Sequence, residues 1–201
     1  KILSPVLVAN PAYPVYHIDF SFSPLALGGS ALAQALGQLG DETPRIEEPE
    51  YFREAFTAVQ ELIQRGVLTA GHDISGGGLI TALLEMCFPS TKGGLSVDLT
   101  AFPEDDIVKL LFAENPGVLV QTSAPEVLEE VLRDASIGFA RIATPTADGR
   151  TLSVSYGKKS TLTLDIDAKR DLWYRSSYLM DKYQSGEELA KARYEGYKNQ
   201  P

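Results

Sequence analysis

The run GHDISGGGLITALLEM, residues 71–86, gathers the residue types most able to do chemistry in this chain. An acid at Asp73, a hydroxyl at Ser75 and three glycines, Gly76, Gly77 and Gly78, precede an almost wholly apolar helical stretch. Glycine tolerates positive φ and lets backbone approach a ligand closely. The first amides of a helix lack internal partners, so a glycine turn that opens a helix points N–H groups outward, where an anion is attracted. A carboxylate beside that turn would repel a bare phosphate. Asp73 therefore makes physical sense as a ligand of Mg²⁺, with a phosphate on the far side of the metal and Ser75 giving its hydroxyl or amide to a nucleotide. The same residues also have a plain structural reading, since Asp and Ser ahead of a helix are good N-caps and glycines permit tight turns. Pattern alone favours the capping reading, because Gly-rich strand-to-helix turns are common and the run matches neither G-x-x-x-x-G-K-[ST] nor G-x-G-x-x-G.

Other reactive groups are few. His72 adjoins Asp73, but neighbours on a strand point to opposite faces, so a structural histidine is expected rather than an acid–base pair. His17 falls on the polar side of its strand with no identifiable partner and is expected to be non-functional. Two histidines and one cysteine make a tight zinc site improbable. Cys87 lies in the apolar helix and reads as a small core residue rather than a nucleophile. Glu85 is the one charge on that helix, so it either reaches solvent or pairs with a partner. Gly28, Gly29 and Ser30 form a second turn of the same kind, with ordinary capping by Ser30 the favoured reading.

The elements that must position these groups follow from periodicity. VYHIDFSF (15–22) places Tyr16, Ile18, Phe20 and Phe22 on one face and His17, Asp19 and Ser21 on the other, the alternation of a half-buried strand. Ser30 can cap a thin, alanine-rich helix that ends near Gly40, and Phe52, Phe56, Val59, Leu62 and Ile63 mark a second helix that stops at Gly66. VLTAGHD is a strand leading into the glycine turn, and Leu79–Phe88 is the helix after it. GGLSVDL is a strand, PEDDIVKLLFAEN a helix, GVLVQTS a strand and APEVLEEVLRDA an amphipathic helix. GFARIATP, TLSVSYG and STLTLDID are three further strands joined by short connections. From Ala168 the chain is helical and rich in tyrosine. Helices interleave with strands early and strands cluster late, which favours a mixed sheet with helical layers. The opening KILSPVLVAN begins as though already inside a strand, and the chain reads as a piece of something longer.

Composition narrows the classes. A chain of 201 residues with 44% hydrophobic content is expected to fold as one domain, with room for an appendage. A net charge of −9 argues against a nucleic-acid surface. No apolar run approaches the roughly 20 residues of a membrane span, no secretory signal is evident, and the lone cysteine excludes an internal disulfide. A cytoplasmic protein without membrane partners is expected.

Four stretches, in order, carry a family resemblance: LALGGSALAQALGQLGD, GHDISGGGLITALLEMCF, LLFAENPGVLVQ and LWYRSSYLMDKYQ. From about residue 15 to the end they resemble the second carboxy-terminal-type domain of the large phosphoribosylformylglycinamidine synthases, the formylglycinamide ribonucleotide amidotransferases. The H-D-x-S-x-G-G-L run is the most specific part, and it also marks the wider superfamily of aminoimidazole ribonucleotide synthetase, selenophosphate synthetase and thiamine-monophosphate kinase. The tail with Trp173 is more similar to the large amidotransferases. The resemblance implies an α+β fold with three α/β/α layers and a mixed sheet, partly ferredoxin-like, over residues 1–167. Residues 168–201 would be a helical tail leading toward a glutaminase domain absent from this chain.

The same resemblance implies a carbon–nitrogen ligase of purine biosynthesis that uses ATP and glutamine, with this stretch as one wall of a nucleotide site. Asp73 would be the metal ligand for Mg²⁺; Ser75, Gly77 and Gly78 would contact ATP or ADP. No catalytic residue is implied here, and the isolated piece would be inactive without the remaining domains of its polypeptide. The sequence departs from the family run at Gly76, where a second acid is usual, so one carboxylate fewer stands beside any metal. A non-catalytic scaffold domain, or part of another ATP-using kinase or synthetase of the superfamily, is the alternative.

Overall fold

The computed structural model of the chain describes residues 1–157 and 159–199. Among these, seven strands build one mixed sheet: β1 (Val15–Asp19), β2 (Leu68–Asp73), β3 (Gly94–Asp98), β4 (Gly117–Thr122), β5 (Phe139–Thr146), β6 (Thr151–Tyr156) and β7 (Lys159–Asp165). Their order across the sheet is β2-β4-β1-β5-β3-β6-β7. The helices are α1 (Ala31–Ala35), α2 (Pro49–Arg65), α3 (Gly78–Cys87), α4 (Ile107–Phe112), α5 (Pro125–Asp134), α6 (Ile166–Ser185) and α7 (Glu187–Gly196). Strands β5, β1, β4 and β2 are consecutive neighbours and pair antiparallel throughout. With α2 joining β1 to β2 and α5 joining β4 to β5, they form the expected ferredoxin-like unit, into which α3, β3 and α4 are inserted. The insertion extends the sheet, because β3 pairs antiparallel with β5 and parallel with β6.

Each face of the sheet is covered. Leu83 and Met86 of α3, Leu110 and Leu111 of α4 and Ile166 of α6 pack with Leu95, Leu119 and Leu152 of the sheet in one core. Leu62 of α2 and Leu128 and Leu132 of α5 pack with Tyr16, Ile18 and Val120 in a second core on the opposite face. The three-layer arrangement is thus present, and it corrects the reading of β1 as half-buried. His17 and Asp19, expected to face water, are partly covered because α3, α4 and the segment around Phe102 close over that face. Phe22, expected on the inner face with Phe20, is 57% exposed. The strand has already ended: Asp19 Oδ1 accepts from the Ser21 amide and Oδ2 from the Phe22 amide, both at 2.9 Å, which turns the chain at φ +49 for Phe22.

Two helices are shorter than their patterns suggest. Ser30 does cap α1, its hydroxyl accepting from the Ala33 amide at 3.2 Å, but the helix ends at Ala35 and Gly37 turns away at φ +66 rather than running to Gly40. Asp106 accepts from the amides of Val108 and Lys109 and so starts α4 three residues after the proline-led segment, and Ala113 is already extended. Residues 1–10 form no strand. They run along the exposed edge of β2, where the Gly71 amide donates to the Ser4 carbonyl at 3.0 Å, an ordinary way of covering a sheet edge. The aromatic tail packs largely on itself: Tyr174 stacks on Tyr197 and Tyr178 on Tyr194, while Trp173 meets Phe88 at the end of α3. No helix among the described residues is long and apolar enough to cross a membrane.

Candidate functional site

Asp73 is the last residue of β2, at the edge of the sheet. The cross-strand row Asp73–Val118–Ile18 belongs to the face of the second core, whereas His72–Leu119–His17 belongs to the other. The two neighbours leave the strand on opposite faces, as strand geometry requires, although the His72 ring folds back to the end of the strand. The Asp73 side chain is 74% exposed, and among the described residues its carboxylate accepts no hydrogen bond, the His72 ring nitrogen Nδ1 standing 3.6 Å from Oδ1. It caps nothing. Ser75 and Gly76 are also exposed, and neither the Ser75 hydroxyl nor the two amides have a hydrogen-bond partner among the described residues. Gly77 is the N-cap of α3 at φ +93 and makes no side-chain cap, so the capping role open to Asp73 and Ser75 on sequence grounds is filled by neither.

The cap comes from elsewhere. Glu114, between α4 and β4, accepts the Gly77 amide on Oε1 at 2.8 Å, and the same oxygen accepts the Ala31 amide at 2.8 Å. The Gly78 amide closes a turn onto the Ser75 carbonyl at 3.0 Å. The amides of Gly77 and Gly78 are therefore engaged within the protein, and the open donors of the turn are those of Ser75 and Gly76. Gly78 is buried with no space for a side chain, and its closest neighbour is the Phe112 backbone. Asn115, buried beside Glu114, accepts the Ala26 amide and donates to Pro24 O and Ser23 Oγ. Glu114 thus links Ala31 to the start of α3, and Asn115 fastens residues 23–26 to the α4–β4 junction. Sequence pattern gave Glu114 and Asn115 no role of their own; the only signal was an acid and an amide ahead of Pro-Gly at a helix-to-strand junction.

The remaining reactive groups are accounted for. Glu85 pairs with His72, Nε2 to Oε2 at 3.5 Å, while His72 Nδ1 meets the Asp73 carbonyl at 2.7 Å, so this histidine ties α3 to β2. His17 lies against Phe102 and borders a cavity of about 470 Å³; burial pushes its pKa down to about 4, against the opposing pull of Asp19. Cys87 is a core residue, its thiol pushed up to about 12 by burial, which leaves no nucleophilic thiolate at neutral pH. The segment after the Gly28–Gly29 turn is joined to the glycine turn through Glu114, which accepts the Ala31 and Gly77 amides. Neither the 470 Å³ cavity nor the open groove between α2 and α5 is lined by Asp73, Ser75, Gly77 or Gly78; Asp73 and Ser75 stand exposed at the surface, Gly77 is half-buried and Gly78 is buried behind them.

Residues 20–153, the stretch that contains Asp73, the glycine turn and Glu114, match the family model described as AIR synthase related protein, C-terminal domain. The chain belongs to this family. Among curated proteins, the phosphoribosylformylglycinamidine synthase of Homo sapiens is 36% identical over 164 residues, 79% of this chain and 12% of that protein. A probable phosphoribosylformylglycinamidine synthase of Caenorhabditis elegans is 37% identical over 161 residues, 73% of this chain and again 12% of the other. A probable chloroplastic/mitochondrial form from Arabidopsis thaliana is 33% identical over 184 residues, 90% of this chain and 13% of that protein. The chain thus spans about an eighth of the length of these relatives. Among solved structures, T. maritima PurL complexed with ATP superimposes with a TM-score of 0.63 at 16% identity, over 83% of this chain and 27% of that one. The hydrogenase maturation protein HypE in complex with ATP gives 0.51 at 18% identity over 78% of this chain and 52% of that one. At such identities these two share the fold, and they agree with the mixed seven-stranded sheet and its helical layers.

Proposed function

We propose that this AIR synthase related domain supplies one wall of a Mg²⁺–nucleotide site in a glutamine-dependent ligase of purine biosynthesis. The reaction joins the nitrogen of glutamine to formylglycinamide ribonucleotide at the expense of ATP and water, giving the amidine, glutamate, ADP and phosphate. The observation that carries the reading is Asp73: a carboxylate free of protein hydrogen bonds, at a strand end, followed by a turn whose Ser75 and Gly76 donors are open. Relatives named as phosphoribosylformylglycinamidine synthases support the reaction, and T. maritima PurL complexed with ATP, ADP and AMPPCP supports the nucleotide.

The donor set fits magnesium in one particular way. Among the described residues no three His, Cys, Asp or Glu side chains converge to hold a metal by themselves. Mg²⁺ commonly takes one or two carboxylates together with phosphate oxygens and waters, so a single free Asp73 suits an ion that arrives with its nucleotide. When bound, the ion would neutralise phosphate charge. Ser75 would donate to the nucleotide and Gly77 would permit close backbone approach, whereas Gly78, expected to contact the nucleotide, is packed on the Phe112 backbone and would serve only to shape the turn. Residues 168–201 would lead toward a glutaminase domain of the same polypeptide, and the domain alone would not turn over. A cytoplasmic site of action goes with this reading.

One observation favours the scaffold alternative: the Gly77 and Gly78 amides already have internal partners. The two readings separate in the full-length enzyme carrying Asp73→Asn. A metal-bridging Asp73 predicts loss of bound nucleotide and a lower thermal midpoint; unchanged nucleotide content, midpoint and turnover would leave the loop as packing only.

A further inference from the structure

The bonds made by Glu114 require an acceptor, yet they do not require a charge. A glutamine oxygen of the same reach would accept the amides of Gly77 and Ala31 equally well, and the neighbouring Asn115 does comparable work for Ala26 with a neutral amide. A carboxylate adds a full negative charge at the first amides of α3, the end that otherwise carries the positive pole of the helix dipole. Two of the donors that would have given the turn its attraction for an anion are consumed: Gly77 N–H by Glu114, Gly78 N–H by the Ser75 carbonyl. With Asp73 exposed beside it, the turn presents two acids and only the Ser75 and Gly76 donors.

An anion approaching such a surface must bring its own positive charge. We infer that Glu114 is a specificity-determining and positioning residue, which shapes the Ser75–Gly78 turn through two amides and makes it select the cation-complexed nucleotide over the metal-free one. The inference rests on the nucleotide reading given above and adds what sets its dependence on metal. Glu114 touches the turn and not the reacting atoms, so it acts through the loop.

The test is calorimetric titration of the full-length polypeptide with ADP, with and without Mg²⁺, for the parent, Glu114→Gln, Glu114→Ala and Asp73→Asn. The binding component that Asp73→Asn removes reports this loop and separates it from any other nucleotide site on the polypeptide. For that component, Glu114→Gln is expected to tighten metal-free ADP by roughly tenfold, the scale of one charge acting across several ångströms of protein, with Mg-ADP little changed. Glu114→Ala is expected to weaken both forms by releasing the two turns, and still to narrow the ratio between them. A ratio identical to the parent's in both variants overturns the role of Glu114 alone. If Asp73→Asn removes no component, the nucleotide reading itself fails, and this inference with it.

Discussion

A β-carbon on Gly78 would lie 2.7 Å from the Phe112 carbonyl carbon, at a residue whose φ is +70. The start of α3 is thereby pressed against the end of α4, and the turn that carries Ser75 is held by backbone contact as well as by Glu114. Gly78→Ala must both adopt a left-handed conformation and displace main chain, together on the order of 3 kcal/mol of lost stability. A β-carbon on Gly76 meets nothing within 4 Å and its φ is not positive. Gly76→Ala is therefore expected to change stability by less than about 0.5 kcal/mol. Urea unfolding of the two variants checks the contrast.

Stability should fall at both ends of the pH scale for identifiable reasons. His17 is held neutral by burial, with its pKa pushed down to about 4, so as pH falls from about 6.5 the unfolded chain takes up a proton that the folded chain refuses. His17→Phe should flatten the loss between pH 6.5 and 4. At the other end, burial and then the hydrogen bond to Glu129 raise the Tyr16 phenol well above its ordinary value. Its stabilising contribution is whole below about pH 10 and declines above it. The Cys87 thiol, pushed up to about 12, adds to the same alkaline loss. Tyr16→Phe should remove part of that decline when denaturant midpoints are followed from pH 8 to 11.

Arg150 joins three elements through one guanidinium. It donates to the carbonyls of Cys87 and Gly93 and pairs with Asp167, which also holds the buried Arg170. Arg150→Ala strands two carbonyls and leaves Asp167 with one partner, which should cost about 2 to 4 kcal/mol. Arg150→Lys should recover only part, since an ammonium cannot present the same fork of donors. Thermal unfolding compared across the three proteins measures this, and loss of the Trp173 contact with Phe88 would appear as a shift in tryptophan fluorescence.

Gly76→Asp places a second acid at the position where the sequence departs from the run that the family resemblance implies. The open space around Gly76 accommodates the side chain, so folding should be unaffected. A second carboxylate near Asp73 should raise the affinity for Mg²⁺-loaded nucleotide several-fold while weakening metal-free nucleotide. Titration of ADP at fixed Mg²⁺ concentrations reads both effects.

Much of the sheet was legible because its signals are local. β2 and β4 are short runs bounded by turn residues, α5 is amphipathic, and Gly66 ends α2 in the left-handed conformation that its position suggests. The misread elements are those decided by contacts distant in sequence. β1 is covered on both faces by helices that no window around residues 15–22 contains, and α1 stops early because Gly37 turns. The turn itself was visible in Asp73, Ser75 and the three glycines. Its cap was not, because Glu114 lies 37 residues away from Gly77. Alternation reports which face a residue occupies, whereas hydrogen bonds between loops depend on how the insertion of α3, β3 and α4 returns the chain to the sheet.

Crystals of the full-length polypeptide grown with Mg²⁺ and ADP decide whether Asp73 bridges a cation to the nucleotide. Metal density is expected at about 2.1 Å from an Asp73 carboxylate oxygen, with a phosphate oxygen on the other side of the ion and Ser75 in contact with the nucleotide. ADP bound elsewhere, with Asp73 touching only protein or solvent, would contradict that bridge.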